Sequence, residues 1–138
     1  MTFGGAFDWR SRKQKFTAQS TTDAEYYTFG SGCMRLAQLN HILAEIRILG
    51  LAKPLLLYDN KGCLDSIKHG KYRGTTVAHI ATKYQLAVEM LSQGLITASW
   101  IPSNDNLADA MTKTLTKPTF TSLIGRMGLV GKSIGKDV

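Results

Sequence analysis

Acidic side chains are scarce in this chain, with 10 Asp plus Glu against 17 Lys plus Arg and a formal charge of +7, so the positions of the acids carry information. Three stand out: Glu25, Asp59 and Asp109. Glu25 lies in the first turns of a predicted helix, Asp59 closes a short apolar run, and Asp109 sits near the start of the last predicted helix. In open α/β sheets, residues far apart in sequence converge where strands end beside helix starts. A cluster of carboxylates in a basic chain suits magnesium, a hard cation that prefers oxygen ligands. Two such ions can clamp the attacking and leaving oxygens of a phosphodiester. Plainer roles stay open for each acid: a helix-dipole partner for Glu25, a turn former ahead of Asn60 for Asp59, a first-turn charge for Asp109. Other chemistries find less support. Cys33 and Cys63, the two cysteines, lack zinc-site spacing and read as buried thiols in a reducing compartment. A Gly-rich phosphate cradle, a Ser-His-Asp set and a Cys nucleophile site all lack suitable spacing.

The excess of positive charge favours a polyanionic partner, nucleic acid before others. Candidate phosphate contacts bunch at Arg10, Arg12, Lys13 and Lys15, at Lys71 and Arg73 within a basic stretch from Lys68, and at Lys113 with Lys117. Phosphate backbones attract such clusters, although any one of them could equally be a solvated face. Apolar runs such as Leu55-Leu56-Leu57 fall far short of the roughly 20 residues that span a bilayer. The start of the chain lacks the pattern of a secretory signal. The expectation is an intracellular protein, cytoplasmic or nuclear, with no membrane partner.

The elements that must position these residues follow from pattern. Ser20 precedes Asp23 by three residues, a capping-box-like helix start. Leu36, Leu39, Leu43 and Ile46 share one face of the helix that follows, and Gly50 is the expected stop. Gly30 and Gly32 point to close packing of that helix against a sheet. Pro54 precedes Leu55-Leu56-Leu57-Tyr58, a continuous apolar run that suits a strand buried on both faces. Residues 61–68 read as a short helix, 70–74 as a loop, 77–93 as a second long helix closed by Gly94, and 95–101 as a strand stopped by Pro102. A last helical region is expected from about Asn104 to Leu115, and two short strands around Gly4-Gly5. Alternating strands and helices make an α/β domain. It is read as one domain over residues 1–130, followed by a flexible basic tail, 131–138.

Ser20-Thr21-Thr22-Asp23-Ala24-Glu25-Tyr26 resembles the Ser-Thr-Glu-Ala-Glu-Tyr block of ribonuclease H domains from copia-type retrotransposon polyproteins. Trp9 to Lys15 looks like that family's Trp-x-Ser-Lys-Lys-Gln segment, Tyr58-Asp59-Asn60 like its Cys-Asp-Asn strand end, and Leu107 to Lys113 like its Leu-Ala-Asp-x-x-Thr-Lys close. His79-Ile80 and Lys83-Tyr84 match a further segment. The resemblance implies a ribonuclease H-like mixed sheet flanked by helices, in which four acids hold two magnesium ions that cut the RNA strand of an RNA–DNA hybrid. Glu25, Asp59 and Asp109 match the second, third and fourth acids. The family's first acid lies on an opening central strand, and the sequence here opens at Met1-Thr2-Phe3-Gly4-Gly5, beyond it. The expectation is therefore an N-terminally truncated version of the fold. Its missing strand would come from a second copy, another polypeptide or a rearranged Phe3–Trp9 segment. Such a domain would bind nucleic acid with reduced or no cleavage. The alternative is an active magnesium-dependent nuclease whose missing strand is supplied by association or by a longer polyprotein.

Overall fold

The computed structural model describes Ala6, Asp8 and residues 20–47, 53–73 and 77–129. These residues fall into two compact units, one within Phe16–Pro102 and the other combining Met1–Lys15 with Ser103–Val138. The first unit contains helix α1 (Thr21–Glu45), strand β1 (Leu55–Tyr58), helix α2 (Lys61–Lys68), helix α3 (Ala78–Ser92) and strand β2 (Thr97–Trp100). The second contains a 3-10 turn (Ser103–Asp105), helix α4 (Asp109–Thr112) and helix α5 (Lys117–Arg126). The architecture is mixed α/β. No described helix is long and apolar enough to cross a membrane.

The capping signal at the start of α1 is realised in both directions. Ser20 Oγ accepts from the Asp23 backbone N–H at 3.1 Å and donates to Asp23 Oδ2 at 2.9 Å. One orphan amide of the first turn is thereby satisfied, and the Asp23 carboxylate lies at the positive end of the helix. The buried face of α1 begins almost three turns earlier than the leucine spacing predicts, with Tyr26, Phe29 and Cys33 in the core and Leu36 packed beside them. Ile46, expected on that face, is 61% exposed. It caps a helix that ends at Glu45, and Arg47 takes the left-handed conformation (φ 58°) assigned above to Gly50. Gly50 lies outside the described residues, as do Gly4-Gly5, the 131–138 tail and Arg10, Arg12, Lys13 and Lys15.

β1 and β2 pair in parallel, with Leu55 opposite Thr97 and Tyr58 opposite Trp100. Among the described residues of this unit, the strand expected to be covered on both faces is covered on one. Leu56 and Ala98 pack against the core, whereas Leu55 and Leu57 are 53% and 48% exposed. Side chains alternate across a strand, so an apolar run does not say whether both faces will find a cover. The single last helix expected from 104 to 115 is instead the 3-10 turn and the four-residue α4, and α5 is a separate element whose Pro118 stands in the first turn, where a missing N–H costs nothing. α3 closes as expected, with Gly94 at φ 64°.

The two helical glycines differ in their neighbours. A Cβ at Gly32 would meet Leu56 of β1 at 3.4 Å, the close approach to a strand that was expected. A Cβ at Gly30 would lie 2.5 Å from the Lys83 carbonyl oxygen, so there the helix backbone approaches α3 rather than the sheet. Overpacking of this kind costs about 1–3 kcal/mol. Gly30→Ala should therefore lower unfolding free energy by roughly that amount in urea titration, and Gly32→Ala by distinctly less.

Candidate functional site

The carboxyl end of β1 is where the first unit gathers its chemistry. Tyr58 ends the strand, with its ring packed edge-on against Phe29 of α1 at 5.1 Å. Its hydroxyl reaches the first turns of α1, donating to Glu25 Oε2 and lying 3.1 Å from the Glu25 carbonyl oxygen. Asp59 follows. Asn60 then caps α2, its Oδ1 accepting from the Cys63 N–H at 3.0 Å. The strand end and the two helix starts are thus tied together by side-chain hydrogen bonds, not only by apolar packing.

Between the starts of α1 and α2 lies a recess of about 250 Å³, lined by residues that include Thr21, Glu25, Asn60, Cys63, Ser66 and Arg73. Among the described residues its lining contains Asn60 and not Asp59. Tyr26, which also lines it, belongs to a tyrosine cluster. Tyr26, Tyr72 and Tyr84 have ring centroids 4.8–5.2 Å apart. The Tyr26 hydroxyl shares a 2.7 Å hydrogen bond with Ser66, and the Arg73 backbone N–H donates to that same Tyr26 oxygen at 3.3 Å. Ser66 Oγ in turn donates to the Lys71 carbonyl, so the basic Lys71–Arg73 segment is fastened beside the recess with both side chains exposed.

Of the three acids, Glu25 and Asp59 belong to this unit, Glu25 bound to the residue that precedes Asp59. Within the unit the described residues gather no group of three or more His, Cys, Asp or Glu that could hold a metal. Two carboxylates, one with an oxygen already taken by a tyrosine hydroxyl, do not by themselves form a two-ion cage. Asp109 belongs to the other unit, where it opens α4, is buried, and binds Lys113 at 2.7 Å. Lys113, a candidate phosphate contact, thus has a carboxylate partner one helical turn away. His79 is exposed, with its ring edge-on to Tyr27 at 6.2 Å.

Residues that sequence reasoning passed over include Tyr58, Ser66 and Trp100. Asn60 was not singled out as a cap either, although an Asn directly before a predicted helix is a ready signal for one. No pattern in the sequence marks the Tyr58 hydroxyl as a Glu25 partner, because that contact depends on how α1 docks on the strand.

Both thiols are buried, Cys33 completely. Burial pushes each up to about 12 from an ordinary 9.0, and at Cys63 the nearby Glu25 charge adds to the effect. Burial, and then the hydrogen bond to Glu25, also raises the Tyr58 phenol well above its usual range. Because these folded values lie above the unfolded ones, the stability they contribute is complete below about pH 9 and is lost as pH rises toward 12. Thermal unfolding should accordingly shift to lower temperature across that interval, and iodoacetamide at pH 8 should label neither cysteine until the chain unfolds. Tyr58→Phe should reduce stability by about 1–3 kcal/mol in urea titration, since it removes a hydrogen bond to a charged acceptor.

Comparison with known proteins places this chain beside transposon polyproteins. It is 34% identical over 119 residues to the retrovirus-related Pol polyprotein from transposon TNT 1-94 of Nicotiana tabacum, a match covering 85% of this chain and 9% of that protein. It is 26% identical over 125 residues to the corresponding polyprotein from transposon RE1 of Arabidopsis thaliana, covering 88% of this chain and 8% of the relative. With the transposon Ty1-NL2 Gag-Pol polyprotein of Saccharomyces cerevisiae the identity is 27% over 123 residues, 89% of this chain and 7% of that protein. The chain thus spans under a tenth of the length of the curated relatives it matches. No family model matches it, and no solved structure gives a significant match.

Proposed function

We propose that this homologue of transposon Pol polyproteins is a ribonuclease H-like domain of copia type that binds nucleic acid, an RNA–DNA hybrid or duplex, with reduced or no cleavage. The observation that carries the reading is the similarity to Pol polyproteins over 85–89% of the chain. It is joined to a net charge of +7. A basic surface of this kind holds phosphates through Lys and Arg without needing catalysis.

Holding rather than cutting is favoured by the state of the candidate acids. A magnesium ion at Glu25 would have to share or displace the Tyr58 donor, and one at Asp109 would compete with Lys113. Cleavage by two metals needs carboxylate oxygens free to take up the ions as phosphodiester oxygens arrive. Glu25, Asp59 and Asp109 remain the candidate magnesium ligands of this reading. Lys71, Arg73 and Lys113 are its candidate phosphate contacts among the described residues, Lys113 already paired with Asp109, with Arg10, Arg12, Lys13 and Lys15 completing the set.

The test is binding and turnover of a labelled RNA–DNA hybrid. With two to four of these side chains on phosphates at once, affinity should fall on the order of 10- to 100-fold between roughly 50 and 200 mM salt, and more steeply if all engage, with little or no product when magnesium is present. Lys71→Ala combined with Arg73→Ala should weaken binding and flatten the salt dependence. An affinity indifferent to salt would overturn the proposal. Rapid magnesium-dependent cleavage that Asp59→Asn abolishes would replace it with the active-nuclease alternative.

A further inference from the structure

Trp100 ends β2 directly opposite Tyr58 and is 45% exposed. Its ring is not loosely placed. The indole Nε1–H donates to the Asp59 carbonyl oxygen at 3.0 Å, so the polar edge of the side chain is satisfied and the ring orientation is held. Lys61, the first residue of α2, places its ammonium 5.9 Å from the ring centroid. A large aromatic left in water forfeits the stabilisation that burial brings, and a fixed, half-exposed indole beside a cation is a costly arrangement for a surface with no partner. The same arrangement suits a nucleotide, which presents a flat base and, one sugar away, a phosphate.

We propose that Trp100 is a stacking platform for an unpaired nucleobase, with the Lys61 ammonium taking the adjoining phosphate. The proposal rests on the nucleic-acid reading above and narrows it, since a base inside a duplex offers neither face to a side chain, whereas an unpaired base offers both. It makes the carboxyl end of the parallel strands a site for single-stranded segments: overhangs, gaps or frayed ends. Stacking of this kind tolerates any base, because every base has a π-face. The added phosphate contact gives it a salt-dependent component.

The experiment uses the intact chain carrying Trp9→Phe, which leaves Trp100 as the sole tryptophan, titrated with oligodeoxythymidine, a blunt hybrid and inorganic polyphosphate. Oligodeoxythymidine should quench Trp100 emission, and polyphosphate should not. Measured by the anisotropy of end-labelled nucleic acid, Trp100→Ala in the same background should weaken oligodeoxythymidine binding about tenfold, a larger loss than on the blunt hybrid, and Trp100→Phe should recover much of it. Lys61→Ala should lower the salt dependence on oligodeoxythymidine. Equal quenching by polyphosphate, or equal losses on both nucleic acids, would overturn the stacking proposal while leaving the hybrid-binding reading standing. Absence of binding to every nucleic acid by the unsubstituted chain would overturn both.

Discussion

A phenol at the end of a strand holds the candidate site together. The Tyr58 ring fills the space beside Phe29, and its hydroxyl, buried where an unpaired polar group would be costly, spends its hydrogen-bonding capacity on Glu25. That contact pins the first turns of α1 to the carboxyl end of β1. Asn60 pins the start of α2 to the same place by capping it. The recess lined by Glu25, Asn60 and Arg73 exists because both helix starts are held at one strand end. Without the tyrosine, α1 would keep its apolar packing but lose the polar contact that fixes the position of its acid.

The packing beneath follows from a close approach between helices. α1 carries no side chain at Gly30, where the backbone of α3 comes within van der Waals contact at Lys83. The approach lets Tyr26 and Tyr84 meet edge to face and brings Tyr72 against both. Aromatic pairs in such geometry add to what area burial alone provides. The Tyr26 hydroxyl, Ser66 and the backbone of the Lys71–Arg73 segment then form a polar seam along one side of the cluster. The basic segment is consequently fixed next to the recess rather than merely attached nearby. On the other side of the sheet, Leu55 and Leu57 remain open. Among the described residues of this unit, the strand pair therefore has one finished face.

The acids illustrate how the same residue types serve binding or catalysis according to their partners. A carboxylate that accepts from a tyrosine hydroxyl or from a lysine ammonium has part of its coordination capacity engaged. Glu25 and Asp109 are each in that position. Basic side chains that stay exposed, such as Lys71 and Arg73, carry no such restriction and can meet a phosphate without rearrangement.

Local chemistry in the sequence determined a good deal. Ser20 with Asp23 marked the start of α1, the apolar run before Asp59 marked β1, and Gly94 marked the end of α3, because caps, periodicity and left-handed turns are properties of a few neighbouring residues. The blocks around Glu25, Asp59 and Asp109 pointed to transposon ancestry for the same reason: short motifs survive as strings. Tertiary structure decided the rest. Only docking of α1 on β1 made Tyr58 a partner for Glu25, and only the one-sided cover of the sheet left Leu55 and Leu57 open. Arg47, not a glycine, took the left-handed turn that ends α1. Each of these depends on which surfaces meet across long stretches of chain, and a periodicity or a cap says only which way a side chain faces, not what it will face.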